Sequence, residues 1–291
     1  METAQPSDLR ARAGSALTRR TFVVTAAAGI VAACSRAPGV TLGVQSYSFR
    51  DRPLDDAIAG MQKLGLRSCE LWQAHIEPRN ITRDEMRKWR ETIELGMFHR
   101  VRDKFTKASI ALSAYNISFN DSFSDTEIDR GFEMAKALGA PVITASSNVK
   151  TVARIAPAAA RHKMLVGMHN HSRIDPNEFA SAQSLTGALR MGPFIAINLD
   201  IGHFTAANED AVAFLKQHHD RIVTIHLKDR KREQGDNVPF GSGDTPIVPV
   251  LKLLNENGWP IPANIEYEYK GGDSVDEVGK CLDYCRRALE A

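Results

Sequence analysis

Four short stretches in the second half of the chain end in side chains able to hold a metal ion or move a proton. They are His169-Asn170-His171, Asp200 with His203 three residues on, His226 followed by Lys228 and Asp229, and Glu266 with Glu268. In Leu199-Asp200, Ile225-His226 and Ile265-Glu266 an ionisable group directly follows an apolar one. Unpaired, such inward groups would be costly to desolvate, and a shared cation is one means of compensating them. A lone His at such a place is more often a satisfied surface group, and a lone Asp commonly caps the following helix. Four in succession point instead to one divalent centre built from His169, Asp200, His226 and Glu266. Mixed nitrogen and oxygen donors suit Mn²⁺, Zn²⁺, Fe²⁺ or Co²⁺ better than Ca²⁺ or Mg²⁺. Mn²⁺ is taken as the first candidate. Two neutral imidazoles, two carboxylates and a divalent ion sum to almost no charge, which suits the oxygens of a neutral sugar.

Elements that would bring these groups together are legible along the chain. From residue 41 onward, short β-rich runs alternate with amphipathic helical stretches, and no Pro/Gly/Ser linker separates them. Strands are expected at 41–47, 67–72, 109–116, 141–146, 164–170, 194–200, 222–228 and 263–269. Helical spacing of apolar residues marks Leu54 to Leu64, Thr126 to Leu138, Val149 to His162, Asn208 to His218 and Ile247 to Leu254. Gly65, Gly139 and Gly258 follow helical runs as left-handed stops. Eight strands, each followed by a helix, over about 250 residues predict an α/β fold of the (β/α)₈ TIM barrel type, as one domain. The competing doubly wound sheet would carry a Gly-rich turn after strand one, and Ser46-Tyr47-Ser48-Phe49-Arg50-Asp51 stands there instead. In a barrel, strand ends converge on one mouth, so the four clusters become one site.

The first 34 residues read as a targeting segment. Thr18-Arg19-Arg20-Thr21-Phe22 is a twin-arginine pattern, and the apolar run from Phe22 to Ala33 is too short to span a bilayer. Val31-Ala32-Ala33-Cys34 resembles a lipobox, which implies acylation of Cys34 as the sole membrane attachment; a plain cleaved signal is the alternative. The expected organisation is an export signal over 1–34, a linker over 35–40 and a catalytic barrel over 41–291, with the mature protein in the periplasm. Without that segment, 33 basic groups face 33 acidic ones, which excludes a nucleic-acid partner bound by counterion release. Cys69, Cys281 and Cys285 show no zinc spacing, and a domain of this size needs no disulfide framework. A homo-oligomer is compatible with the sequence.

Leu199-Asp200-Ile201-Gly202-His203, Ile225-His226-Leu227-Lys228-Asp229, Pro239-Phe240-Gly241-Ser242-Gly243-Asp244 and Ile265-Glu266-Tyr267-Glu268 resemble the xylose isomerase-like TIM barrel superfamily. This sugar phosphate isomerase/epimerase group includes ketose 3-epimerases, inosose dehydratase, hydroxypyruvate isomerase and endonuclease IV. The resemblance covers residues 41–291 and implies that strands five to eight supply Glu, Asp, His and Glu to one metal. Here His169, Asp200, His226 and Glu266 match those positions, and the resemblance further implies substrate contacts from His203 and Arg232. His169 departs from the pattern, which weakens an epimerase mechanism that uses two metal-bound carboxylates as opposed acid and base. Metal polarisation of a carbonyl, with one base removing the neighbouring proton, survives the change. Glu266 or Glu268 is the expected base, raised in pKa by a partly desolvated pocket, with His171 or His203 as partner acid.

The same half-reaction serves epimerisation, isomerisation or β-elimination from a 3-keto-glycoside. The expected function is therefore a metal-dependent isomerase or epimerase of a keto-sugar, with a lyase as the first alternative and a non-catalytic sugar-binding lipoprotein as the second. A phosphodiester nuclease would need further His and Glu ligands, and strands two to four offer only Glu70, Asn116 and Ser146 near their ends. Weaker candidates for substrate contact are Lys228, Glu70, Trp72 as a stacking platform, Gln45 and Asn116, with packing or helix capping as their plainer roles. His218-His219 suits a helix C-terminus. The charged loop from Arg230 to Asn237 is either a solvated turn or a lid.

Overall fold

The apolar runs become strands because each is flanked by turn residues, and the amphipathic runs pack outside them as helices. The computed structural model describes residues 39–291. The signal expected over 1–34, Cys34 included, lies outside the described residues. The strands are β1 (Leu42–Gln45), β2 (Ser68–Trp72), β3 (Ala111–Asn116), β4 (Ile143–Ala145), β5 (Val166–His169), β6 (Ile195–Asp200), β7 (Ile222–Leu227) and β8 (Ala263–Ile265). All are parallel and follow chain order around a closed barrel, with β8 pairing back to β1 through Leu42 opposite Ala263 and Val44 opposite Ile265. The barrel expectation is met. Each strand is shorter than its sequence window because the flanking residues turn away at the rims.

Between the strands run α1 (Leu54–Lys63), α2 (Arg83–Thr92), α3 (Gly96–Lys107), α4 (Asp125–Leu138), α5 (Val152–His162), α6 (Ala182–Leu189), α7 (Ile201–Ala206), α8 (Ala211–His218), α9 (Ile247–Asn257) and α10 (Ser274–Glu290). Gly139 and Gly258 close α4 and α9 in the left-handed conformation, at φ 71° and 61°. Two helices, α2 and α3, fill the connection from β2 to β3. Helix α2 is polar on most faces, so periodicity does not announce it; a Thr82/Glu85 capping box starts it. A buried ion cluster then holds it, with Arg90 donating to Glu77 at 2.8 Å and to Glu127 of α4 at 3.2 Å. Among the described residues no helix is long and apolar enough to cross a membrane. Cys69, Cys281 and Cys285 are buried thiols without disulfide partners among the described residues.

Two register shifts matter for the site. One lies between Cys69 and Glu70 on β2 facing β3, the other between Ile197 and Asn198 on β6 facing β7. A bulge re-aims the side chain that follows it. Both shifts deliver a polar residue to the barrel interior, which in this architecture is ordinarily filled by branched apolar groups.

Candidate metal centre

Strand β5 ends at His169, β6 at Asp200 and β7 one residue beyond His226, while the Glu266 N–H continues the ladder past β8 by donating to the Leu227 carbonyl at 2.9 Å. Parallel strands in register carry these residues to one height, with Asp200 directly opposite His226. One donor atom from each of His169, Asp200, His226 and Glu266 lies within 4.8 Å of all the others, and all four residues are buried. Two of these donors are orphans: His169 Nδ1 and Asp200 Oδ2 have no hydrogen-bond partner. Buried polar atoms without partners are rare and costly, so the set fits a missing cation. The other oxygen of Asp200 caps α7, accepting the His203 N–H at 2.6 Å. Capping thus leaves Oδ2 of the same carboxylate for a cation.

Electrostatics agree for the imidazole on β5. Burial, then His226 and His171, hold His169 well below the ordinary histidine range, leaving the neutral ring a metal requires. Burial lifts the Asp200 carboxyl against the pull of Lys228. Glu266 goes the other way: burial favours its acid form, but Lys228 and His226 outweigh this and hold it well below the carboxylate range. The expectation of a raised pKa on Glu266 is corrected accordingly, because two cations contact the carboxylate at 2.9 and 3.1 Å.

Lys228 is the unexpected centre of the arrangement. Only 2% exposed, its ammonium lies 3.1 Å from Asp200 Oδ2, 2.9 Å from Glu266 Oε2 and 2.7 Å from Glu268 Oε2, raising its pKa despite burial. The contact with Asp200 is close but not aligned as a hydrogen bond, so that oxygen remains available. His203 lies between Lys228 Nζ, 3.0 Å from Nε2, and Arg230 Nη1, 2.7 Å from Nδ1. Burial and Lys228 keep it neutral. A neutral imidazole accepts at one nitrogen only, and two cations oppose any second proton. The acid role expected of His203 is therefore opposed by its setting between Lys228 and Arg230.

Residues 59–288 match the family described as xylose isomerase-like TIM barrel. The chain belongs to the xylose isomerase-like TIM barrel family. Among curated relatives, L-ribulose-5-phosphate 3-epimerase UlaE of Escherichia coli is 30% identical over 98 residues, 33% of this chain and 34% of that protein. The match thus spans about a third of the length of that relative. Two solved structures show the same fold. The xylose isomerase domain protein of Planctomyces limnophilus has a TM-score of 0.65 at 17% identity, covering 87% of this chain and 98% of its own. The 3-keto-D-glucoside 4-epimerase YcjR of E. coli reaches 0.65 at 11% identity, covering 85% and 99%.

This member of the xylose isomerase-like TIM barrel family has a mouth cavity of about 300 Å³ above the cluster, lined among others by Gln45, Tyr47, Trp72, Asn116, His171, Lys228, Glu266 and Glu268. Trp72 meets Tyr47 edge-on at 4.9 Å, forming an aromatic wall. Gln45 has both roles weighed for it: its carbonyl caps the turn at Tyr47 while the residue lines the cavity. Asn116 lines it too, donating to Thr144 Oγ1 at 3.1 Å. His171 sits at the rim, 3.6 Å from Glu178.

Two residues fall elsewhere. Glu70 has no exposed surface and lies beneath the centre, where donors from several strands saturate it, so it cannot touch a substrate. Arg232 is exposed on the loop, its backbone N–H held by Asp244 at 3.0 Å, and does not line the cavity. Arg230 reaches the site instead. It is turned inward because the loop pairs Arg230 with Asn237 and Gln234 is tied to the Ala206 and Ser172 carbonyls. Those ties also favour the fixed turn over a lid. Tyr47 and Arg230 were not singled out in the sequence; Tyr47 lies in a stretch read as a turn and Arg230 in one read as a solvated loop or a lid.

Proposed function

We propose that the protein is a divalent-metal-dependent isomerase or epimerase acting on an unphosphorylated keto-sugar. The observation that carries this is the ring of four buried donors, with His169 Nδ1 lacking any hydrogen-bond partner and Asp200 Oδ2 meeting only the Lys228 ammonium, at the floor of a sugar-sized polar cavity. His169, Asp200, His226 and Glu266 would hold the ion, which when bound supplies Lewis-acid polarisation of a carbonyl and so acidifies the adjoining C–H. Glu268 is the base best placed to take that proton, since it lines the cavity and, unlike Glu266, is not among the four donors. Lys228 Nζ, 2.7 Å from Glu268, orients the carboxylate. Tyr47 and Trp72 give the sugar a face to lie on and keep water from it. Lys228 is the only lysine or arginine lining the cavity among the described residues, and three carboxylates already hold it. A phosphate would find no free partner there, which supports a neutral substrate.

His169 favours elimination as the second reading. With no carboxylate on β5 to return a proton to the opposite face, loss of a β-oxygen substituent from a 3-keto-glycoside needs only one acid–base group, which takes the C–H proton and returns it to the departing oxygen. Incubating Mn²⁺-loaded protein with 3-keto-glucosides and free ketoses in D₂O separates the outcomes. Deuterium in recovered sugar without aglycone release means epimerisation or isomerisation, release means elimination, and neither means a binding protein. We also propose, from the Arg19-Arg20 pair and the sequence ending at Cys34, an exported lipoprotein; palmitate labelling of the wild type but not of Cys34→Ser tests it.

A further inference from the structure

We propose that Glu70, on β2, is the positioning residue that sets the tautomer of His226 and turns its Nδ1 toward the metal; this rests on the metal-centre reading above. Glu70 Oε2 lies 2.9 Å from His226 Nε2, while His226 Nδ1 faces the other side, 3.1 Å from Glu266 and 4.0 Å from Asp200. A carboxylate has no proton to give, so the proton between Glu70 and His226 belongs on Nε2. Nδ1 is then the nitrogen left to bind a cation, in the carboxylate–histidine–metal arrangement that fixes ring orientation at many metal sites. The Asn198 amide, 3.1 Å from the same Nε2, does not reverse the assignment, since either end of an amide can be presented.

Glu70 is itself held rigidly. Gln45 Nε2 donates to it at 2.8 Å, Thr144 Oγ1 at 2.6 Å and Asn264 Nδ2 at 3.1 Å, from β1, β4 and β8. The bulge between Cys69 and Glu70 aims the side chain into this layer. Every one of these donors points at the carboxylate and none demands a proton from it, so the layer is built around a negative charge. It converts hydrogen bonds from three strands into a fixed direction for one imidazole.

Titration calorimetry with Mn²⁺ on Glu70→Gln and Thr144→Val tests the proposal. An amide at position 70 has one oxygen to share between the His226 side and the Gln45/Thr144 side, whereas Thr144→Val removes a layer bond but leaves the His226 contact whole. Mn²⁺ affinity should fall about 10–100-fold in Glu70→Gln and stay within about threefold of wild type in Thr144→Val. Unchanged affinity in Glu70→Gln, or an equal loss in both, overturns the proposal. Should Glu70→Gln fail to fold, ¹⁵N-histidine spectra of the wild type decide. A protonated His226 Nε2 in the metal-free protein, kept on adding Zn²⁺, is expected, and a bare Nε2 overturns the assignment. If the wild type binds no Mn²⁺ at all, the metal-centre reading fails, and the same spectra still judge the Glu70–His226 pairing.

Discussion

Among the side chains, Lys228 exerts the widest influence. Its ammonium neutralises oxygens of Asp200, Glu266 and Glu268 in a dry site. Removing one partner of a buried ion pair leaves the others uncompensated, at a cost of about 3–5 kcal/mol. Lys228→Met should therefore lower metal-free stability by about that much in urea titration, and saturating Mn²⁺ should restore part of it. No recovery with Mn²⁺ would mean that the ion and the lysine do not share these oxygens. Asp200→Ala or His226→Ala should abolish both metal retention and turnover, whereas Glu268→Gln should keep the metal and lose turnover, as metal analysis of the purified variants would show. The four donors were legible because each sits where an apolar strand run stops. Arg232 was misplaced because the fold of a loop, not spacing from His226, decides which arginine turns inward. Glu70 was misread because a bulge, invisible in the residue pattern, sinks it below the mouth.

Elements hold these side chains in place through two close approaches. Gly202 opens α7 against β7, where a Cβ would sit 2.6 Å from the Lys228 carbonyl. Gly202→Ala should push α7 and His203 outward at about 2 kcal/mol, or about 4–8 °C in Tm, which differential scanning calorimetry would register. Asp229 clamps the loop that follows, accepting the Gly241 and Gly243 N–H groups at 2.8 and 2.9 Å, and Gly243 leaves no room for a side chain beside that carboxylate. This explains the glycines of the Pro239–Asp244 stretch as a fastening for β7 rather than a phosphate cradle. Helix α2 depends on charge. Burial acts to raise the Glu127 carboxyl, but Arg83, the Ser124 N–H and Arg90 outweigh it and hold the pKa below the usual 4.5. A depressed folded-state pKa contributes stability above the unfolded value and loses it as pH falls through the folded one. Unfolding free energy should thus decline below about pH 4.5 less steeply in Glu127→Gln than in wild type, and Glu127→Gln should lose about 3 kcal/mol at pH 7. Identical pH slopes would refute the linkage. Sequence periodicity passed over α2 because a helix pinned by ion pairs carries little apolar pattern.

Viewed as a whole, the barrel was readable from strand count, spacing and order, since eight parallel strands of this length with helical returns close in few other ways. Its polar interior layer was not, because which face of a strand looks inward depends on register shifts at Glu70 and Asn198. The hydrogen bonds of that layer join β1, β2, β4, β6, β7 and β8 beneath the centre, so the cluster exists only when the ring is complete. Chelation with EDTA should leave the circular dichroism spectrum unchanged and shift Tm by only a few degrees, since bound ion at a hundred times its Kd adds about 2.7 kcal/mol. Collapse on chelation would show that the metal, not the packing, builds the barrel.

The lysine at the heart of the acidic ring carries one more implication. Carboxylates that have an internal counter-ion do not need a metal in order to fold. On the proposed reading the chain could therefore be made and moved before any ion is bound, and Lys228 would yield its place among the oxygens if one were taken up later.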